Sequence, residues 1–393
     1  MVLWKHLPVR ENKPVFNKPA VHSVLLSLGA CLFFLSASPS VALAAVPVKD
    51  DVRLFQENLE RIARLPDDEV RLLPTLFGAA GEGVRKLTGR TTDAALVEKE
   101  LNRIAWRVSA SLVGAREPRL AVAAINRALF ADEGFAYDPA PGDPENYLLD
   151  RVIARKRGNC LGLTFLFLAL GERLGIPLRG AYVPGHCFAR YEGNGMRINI
   201  ETGEKGAERS DAWYAGTFRI GIGNPYLRTL GKREMIGVYL KSLGATLSRK
   251  GMEEEALRLY REAELFSPGL PDVYYNAGVS YQKLGKSDEA IAQYRKALSL
   301  DPDMAAARGN LGATLCSCGR TEDGIREYLK VLEINPDNPK ARSGLAKAYF
   351  SRGAYREAIP HCDRAMEQGC SFDPSMLRVL ERYRDAGSIP PPR

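Results

Sequence analysis

At 393 residues, with 45% hydrophobic and 26% charged side chains, the chain has the composition of a globular protein of two or three domains without a low-complexity tract. Its 55 Lys and Arg against 47 Asp and Glu give a net charge of +8. Residues 1–44 supply +3 of this through Lys5, Arg10, Lys13 and Lys18 against Glu11; the remainder is mildly basic, no Lys/Arg run in it marks a nucleic-acid patch, and it is not expected to bind nucleic acid.

The N-terminal basic stretch is followed by an uncharged apolar run from Val24 to Leu35 and then by Ala42-Leu43-Ala44, small residues at the two positions a signal peptidase reads. The expectation is a signal peptide or membrane anchor over 1–44, with the mature chain starting at Ala45. Ser23 to Val46 also approaches the length of about 20 residues that spans a bilayer. Leu28-Gly29-Ala30-Cys31 loosely resembles a lipoprotein box. Each reading exports the rest of the chain, free in the periplasm or anchored to the inner membrane facing it, because the positive flank stays in the cytoplasm.

Residues 45–143 are expected to be helical and to feed a core. Val52 to Leu65 is amphipathic. Thr92 to Val113 places Leu96, Leu101, Ile104, Ala105 and Val108 at helical spacing, and Pro118 to Asp132 forms a third helix. Gly134 to Asp143 is a Pro/Gly-rich loop. Tyr137 and Tyr147 fit core or surface packing better than a cleft.

Residues 144–236 carry the candidate chemistry. Glu145 to Lys156 predicts a short helix broken by Gly158. Asn159 then caps a second helix that runs to about Leu174 and ends at Gly175 and Pro177. From Leu161 to Leu170 only Gly162 and Thr164 are not strongly apolar, so this helix is buried on all sides. Cys160 stands in its exposed first turn, where the helix N-terminal partial charge favours a thiolate, and Arg155, Lys156 and Arg157 would act the same way. Strands follow at Leu178 to Val183, His186 to Tyr191 and Met196 to Glu201. The turn Glu192-Gly193-Asn194-Gly195 joins the last two. A symmetric closure would set Tyr191 opposite Met196, Phe188 opposite Asn199, and His186 opposite Glu201, where a carboxylate can orient the imidazole. Cys187 falls on the other strand face and belongs to the core, close enough to Cys160 for a disulfide to be conceivable.

Arg-Gly-Asn-Cys opening an apolar helix, followed by Val-Pro-Gly-His opening a strand, resembles the transglutaminase-like superfamily of papain-type cysteine enzymes. The resemblance implies Cys160 as nucleophile, His186 as general base and Glu201 as orienting residue, with Asn199 the alternative third member. The thiolate would attack a carboxamide carbonyl, and the acyl-enzyme would be resolved by water or by an amine. The Cys160 backbone N–H is one oxyanion donor. Position 154, where papain-like enzymes place a Gln, is Ala154. The subfamily resembled often carries tetratricopeptide (TPR) repeats and often lacks the nucleophile; this chain has it.

From about Gly237 to residue 387 the sequence repeats every 34 residues. Pro268, Pro302 and Pro336 share this period, as do Gly251, Gly285, Gly319 and Gly353, and Tyr260, Tyr294 and Tyr328. This spacing, with small residues at fixed places, is similar to four TPR repeats, each a pair of antiparallel helices that must stack to bury its apolar face. The glycines would end first helices in a left-handed conformation and the prolines would end second helices. A cap helix is expected from Pro374 to Ala386, with Leu377, Leu380 and Tyr383 inward. The resemblance implies a groove for an extended peptide or protein partner, with Asn276, Asn310 and Lys347 on its concave side.

Six cysteines follow the targeting segment: Cys160, Cys187, Cys316, Cys318, Cys362 and Cys370. They form neither a C-x-x-C pair nor a regular framework, so no metal site and no cofactor is expected. Those in the repeats are expected to be small buried packing residues. The fold expected is therefore an α+β transglutaminase-like core with a helical N-terminal region, followed by an all-α TPR solenoid. Three functions compete: an exported thiol enzyme acting on peptide or protein amides, a non-catalytic scaffold with a pseudoenzyme core, and a cell-wall crosslinking enzyme. The residues do not separate hydrolysis from transamidation.

Overall fold

The computed structural model describes residues 52–112, 117–140, 142–221 and 224–384. The segment expected to target the chain, with Cys31, and Ala386 at the end of the expected cap helix, lie outside the described residues. Among those described, no helix is long and apolar enough to cross a membrane.

The N-terminal region is helical, as its periodicity predicts. α1 (Val52–Ala63) is followed by α2 (Leu72–Thr88), α3 (Ala94–Ser111) and α4 (Pro118–Asn126), the last continuing as a π-helical segment, Arg127–Asp132. Asp93 caps α3 by accepting from the Leu96 N–H at 2.9 Å. The core face of α3 begins with Val97 rather than Leu96. α2 has no counterpart among the sequence expectations, because Pro74, Gly78, Gly81 and Gly83 break its pattern. Pro74 falls in the first turn, where a missing N–H costs nothing. Leu72, Leu73, Leu76, Ala79, Ala80 and Val84 supply a buried stripe.

The loop at 134–143 contains a short strand, β1 (Ala136–Tyr137), parallel to β2 (Arg157–Gly158). The helix expected over 145–156 divides into a 3-10 turn, Pro144–Asn146, and α5 (Leu149–Arg155). α6 (Cys160–Leu174) starts and stops where its caps predict. Asn159 Oδ1 accepts from the Gly162 N–H at 3.1 Å, and Gly175 takes φ 66°. Every residue from Leu161 to Gly171 is buried.

A five-stranded antiparallel sheet packs against α6. It comprises β3 (Leu178–Val183), β4 (His186–Gly193), β5 (Met196–Glu201), β6 (Ala207–Glu208) and β7 (Thr229–Leu230), in the order β6-β5-β4-β3-β7. α7 (Asp211–Phe218) covers the face carrying Ala181, Val183 and Phe188. The β4–β5 turn is tighter than a symmetric four-residue loop. Asn194 (φ 53°) and Gly195 (φ 71°) form a two-residue turn and pair Gly193 with Met196. Asn199 therefore faces Arg190, not Phe188, and Tyr191 faces Ile198, not Met196. The register moves by two residues, which preserves which face each side chain occupies.

The repeat array is four helix pairs: α8 (Lys232–Arg249) with α9 (Glu253–Phe266), α10 (Pro271–Lys283) with α11 (Ser287–Leu300), α12 (Ala305–Ser317) with α13 (Thr321–Ile334), and α14 (Pro339–Ser351) with α15 (Tyr355–Glu367). α16 (Pro374–Arg384) caps it. Gly251, Gly285, Gly319 and Gly353 all take φ between 73° and 79°. In the cap Leu380 is buried and Leu377 partly buried, but Met376 takes the second inward place and Tyr383 is 41% exposed. Cys362 is buried, Cys316 and Cys370 are half-buried, and Cys318 is exposed, contrary to the packing role expected of it. α8 serves two layers, packing on α9 as a repeat helix and on β3 as the back of the sheet.

Candidate active site

α6 and β4 converge at the sheet end where the chain turns through Pro184 and Gly185. The N-cap at Asn159 places Cys160 in the first turn of α6, half-buried, and the Asn159 N–H is tied to the Asn146 carbonyl at 2.7 Å. His186 opens β4. Its Nε2 lies 2.7 Å from Glu201 Oε2, and the ring and the Cys160 thiol shift each other's titration. With Nε2–H donating to Glu201, Nδ1 is the nitrogen left to face sulfur.

Glu201 reaches His186 along a diagonal, because the shifted register removes the direct pairing. Its carboxylate is 3% exposed and also accepts from the Gly203 N–H (2.8 Å) and the Tyr214 hydroxyl (3.0 Å). Burial works against its charge, but the bonds from His186, Gly203 and Tyr214 prevail and hold the carboxyl below its usual range. Asn199, the alternative third member, does not meet the imidazole. Its Oδ1 accepts from Arg190 Nε at 2.6 Å, and its Nδ2 donates to the Arg209 carbonyl and to Asp211. Arg190 is fully buried, so Asn199 is spent on satisfying it.

Electrostatics place a proton on the ring and take one from the sulfur. Burial alone would lower the His186 pKa. The hydrogen bonds to Cys160 and Glu201 outweigh it and raise the value from 6.5 to about 9. The Cys160 thiol is drawn well below its ordinary value, first by a hydrogen bond from the Cys187 thiol and then, against burial, by His186. The flanking cations do not do this. Lys156 is bonded to Glu133 (3.0 Å), while Arg155 and Arg157 lie near Asp138. Cys187 is on the α6 face of β4 and buried, as the alternation requires; its sulfur lies 4.0 Å from Thr164 Oγ1, and the Cys160 thiol and burial raise its pKa well above the ordinary value.

α7 adds residues that the sequence pattern did not single out. Ser210 caps it, and Tyr214 and Phe218 follow four apart on one helix face. Phe218 stacks on the His186 ring (centroids 5.1 Å, 12°), and Tyr214 stacks on Phe188 (3.7 Å, 7°). An aromatic pair four apart behind a Ser cap was the available signal. Tyr147 is core, bonded to Thr246 at 2.9 Å. Tyr137 is not: it is 39% exposed, lies against Gly203, and is electrostatically coupled to Cys160 and Glu201, so it lines the mouth of the site.

In the array, Asn310 lowers the titration of Tyr275 and Tyr294 against the effect of burial, Asn276 is half-buried, and exposed Lys347 sits 5.8 Å from the Phe372 ring. Lys347 also lines a depression of about 550 Å³ together with Lys340, Cys316 and Cys370. Asn276, Asn310 and Lys347 thus come from α10, α12 and α14, the first helices of three successive pairs.

Residues 95–227 match the family model of the transglutaminase-like superfamily, and residues 271–304 and 312–353 match tetratricopeptide repeat models. A UPF0162 protein of Vibrio cholerae is 28% identical over 190 residues, 47% of this chain and 70% of that protein. A UPF0162 protein of Xylella fastidiosa is 39% identical over 72 residues, 18% of this chain and 26% of that one. Among solved structures, MamA covers 34% of this chain and 78% of its own at 24% identity, with a TM-score of 0.33. The first TPR of Spaghetti (RPAP3) bound to an HSP90 peptide covers 30% and 93% at 25% identity, with a TM-score of 0.29. The chain carries a transglutaminase-like domain followed by TPR repeats, and Cys160, His186 and Glu201 all lie within the first of these.

Proposed function

We propose that this protein is an exported cysteine acyltransferase or amidohydrolase that acts on carboxamide groups of peptides or proteins brought to it by its repeat array. One observation carries the reading: His186 is fixed between the buried Glu201 carboxylate at 2.7 Å and the Cys160 thiol at a helix N-terminus. In this geometry the thiolate attacks a carboxamide carbonyl. The Cys160 backbone N–H stabilises the oxyanion, and the His186 imidazolium protonates the departing amine. Water or a second amine then resolves the thioester, with His186 taking the incoming proton. Glu201 and Tyr214 keep the ring oriented throughout. The apolar run after a basic N-terminal flank supports export, and the solenoid supports a peptide or protein partner.

The test is the rate of Cys160 alkylation against pH, in the wild type and in His186→Ala. Thiolate reactivity well below the ordinary thiol value of about 8.5, lost with the imidazole, is the expected result. An ordinary thiol indifferent to His186 would leave the scaffold reading. That second reading draws on α8, which makes the core and the solenoid one packed body and would suit a platform equally well.

A further inference from the structure

A buried polar chain joins the repeat array to the turn that presents His186. Lys241 of α8 is 8% exposed. Its Nζ donates to the Tyr182 hydroxyl at 3.1 Å and lies 4.7 Å from the centroid of that ring. Tyr182 of β3 is 4% exposed and donates in turn to Oδ1 of Asp272, in the first turn of α10, at 3.1 Å. Tyr226 donates to Oδ2 of the same carboxylate at 2.8 Å. The Tyr182 oxygen is also the acceptor, at 3.5 Å, for the N–H of Gly185, the residue before His186. In the ladder Tyr182 stands directly opposite Cys187, and the next pair is Val183 with His186.

Solenoid packing does not demand this cluster. One period on from Lys241 the chain has Tyr275, Gly309 and Ser343; the places equivalent to Asp272 hold Val238, Ala306 and Lys340. A buried ammonium is tolerated only when a carboxylate balances it with good geometry. Here the two charges come from different repeats, and a phenol of the core stands between them. Burial lowers the Lys241 pKa, opposed by Asp272, Cys187 and Cys160, so the cation belongs to the electrostatic surroundings of the two thiols.

We propose that Lys241, Tyr182 and Asp272 are positioning residues of the thiol centre, through which the first two repeats hold the Pro184–Gly185 turn and the His186 ring beside Cys160. The catalytic sense of this rests on the acyl-transfer reading above. On this proposal the solenoid is part of the site's framework as well as a means of recruiting substrate.

The experiment compares full-length wild type, Tyr182→Phe, Asp272→Asn and Tyr226→Phe by two readouts. One is the 15N resonances of the His186 ring, assigned with His186→Gln. The other is the pH profile of Cys160 alkylation. Tyr182→Phe and Asp272→Asn should move the His186 resonances and shift the alkylation profile upward by about one pH unit, a tenfold loss of reactivity on its rising limb. Tyr226→Phe removes a comparable buried bond from Asp272 but leaves the Gly185 contact, and its profile should match the wild type. Unchanged resonances and profile in Tyr182→Phe, beside an early-titrating wild-type thiol, overturn the proposal and leave the enzyme reading standing. Equal shifts in Tyr182→Phe and Tyr226→Phe also overturn it, because they mark general loosening. A wild-type thiol that titrates at its ordinary value overturns the enzyme reading itself, and the catalytic sense of the proposal with it.

Discussion

The repeat array and the thiol site solve the same packing problem in opposite ways. In the array, a small residue on one helix admits an aromatic ring from its partner sixteen residues on. Gly244 sits against Tyr260 and Gly278 against Tyr294. Each contact is local, recurs one period later, and has neighbours that share the load. In the site, Cys160, His186, Glu201 and Tyr214 come from a helix, two strands and another helix, and each occurs once. Redundancy makes the array tolerant of single lesions, and its absence makes the site fragile. A change at one of the array's repeating contacts should therefore erode stability, and a change in the site should remove chemistry.

The sharpest test of that contrast is His186→Ala. We expect acyl transfer to an amine-bearing probe to fall by roughly 10³-fold or more, with the chain still folded. A variant that keeps most of its turnover would erase the distinction between the two regions. Next in size is the pH dependence. Acyl transfer should fall as pH rises through about 9, where His186 loses the proton meant for the leaving amine. The same group sets a stability term. Its folded value lies above the ordinary imidazole value of 6.5, so its contribution is full below that value and is lost as pH rises through about 9. Urea midpoints of wild type and His186→Ala should accordingly differ more at pH 6 than near pH 10, where only the lost packing against Phe218 remains.

Smaller effects belong to the array. A Cβ at Gly278 would come within 2.6 Å of the Tyr294 ring, so Gly278→Val should cost about 1–3 kcal/mol in urea denaturation. The Cys160 alkylation profile should stay in place. If the profile moved as far as it does in Tyr182→Phe, the array would be coupled to the site by packing in general. The smallest change is Gly353→Ala. It puts a side chain at φ 73° in a repeat turn, with open space around it, and should cost about 1 kcal/mol with no effect on the thiol.

Much of this organisation was legible because it is local. Asn159 and Gly175 mark the ends of α6, the apolar run from Leu161 marks its burial, and the 34-residue period marks the repeats. α2 was hidden because Pro74 and three glycines break its pattern; of the glycines, Gly83 is explained by its close approach to Leu243 and Leu259. The site was legible in its members more than in its wiring. The faces assigned to His186 and Glu201 hold, but the partners assigned across the hairpin do not, because the Asn194–Gly195 turn closes two residues later than a symmetric loop. The low-titrating thiol was expected from the helix N-terminus, helped by Arg155, Lys156 and Arg157. Its main causes are Cys187 and His186, because nearby carboxylates engage all three cations.

The sequence by itself determined the helix that carries Cys160, the strands that carry His186 and Glu201, and the repeating helix pairs. Caps, alternation and period act over a few residues, where the chain's own stereochemistry decides. Tertiary structure alone decided that Glu201 rather than Asn199 meets the imidazole, that Tyr214 and Phe218 brace it, and that Lys241 and Asp272 meet across Tyr182. Those contacts join residues far apart in the chain, and whether two such side chains touch depends on how whole helices and strands pack, which no local pattern encodes.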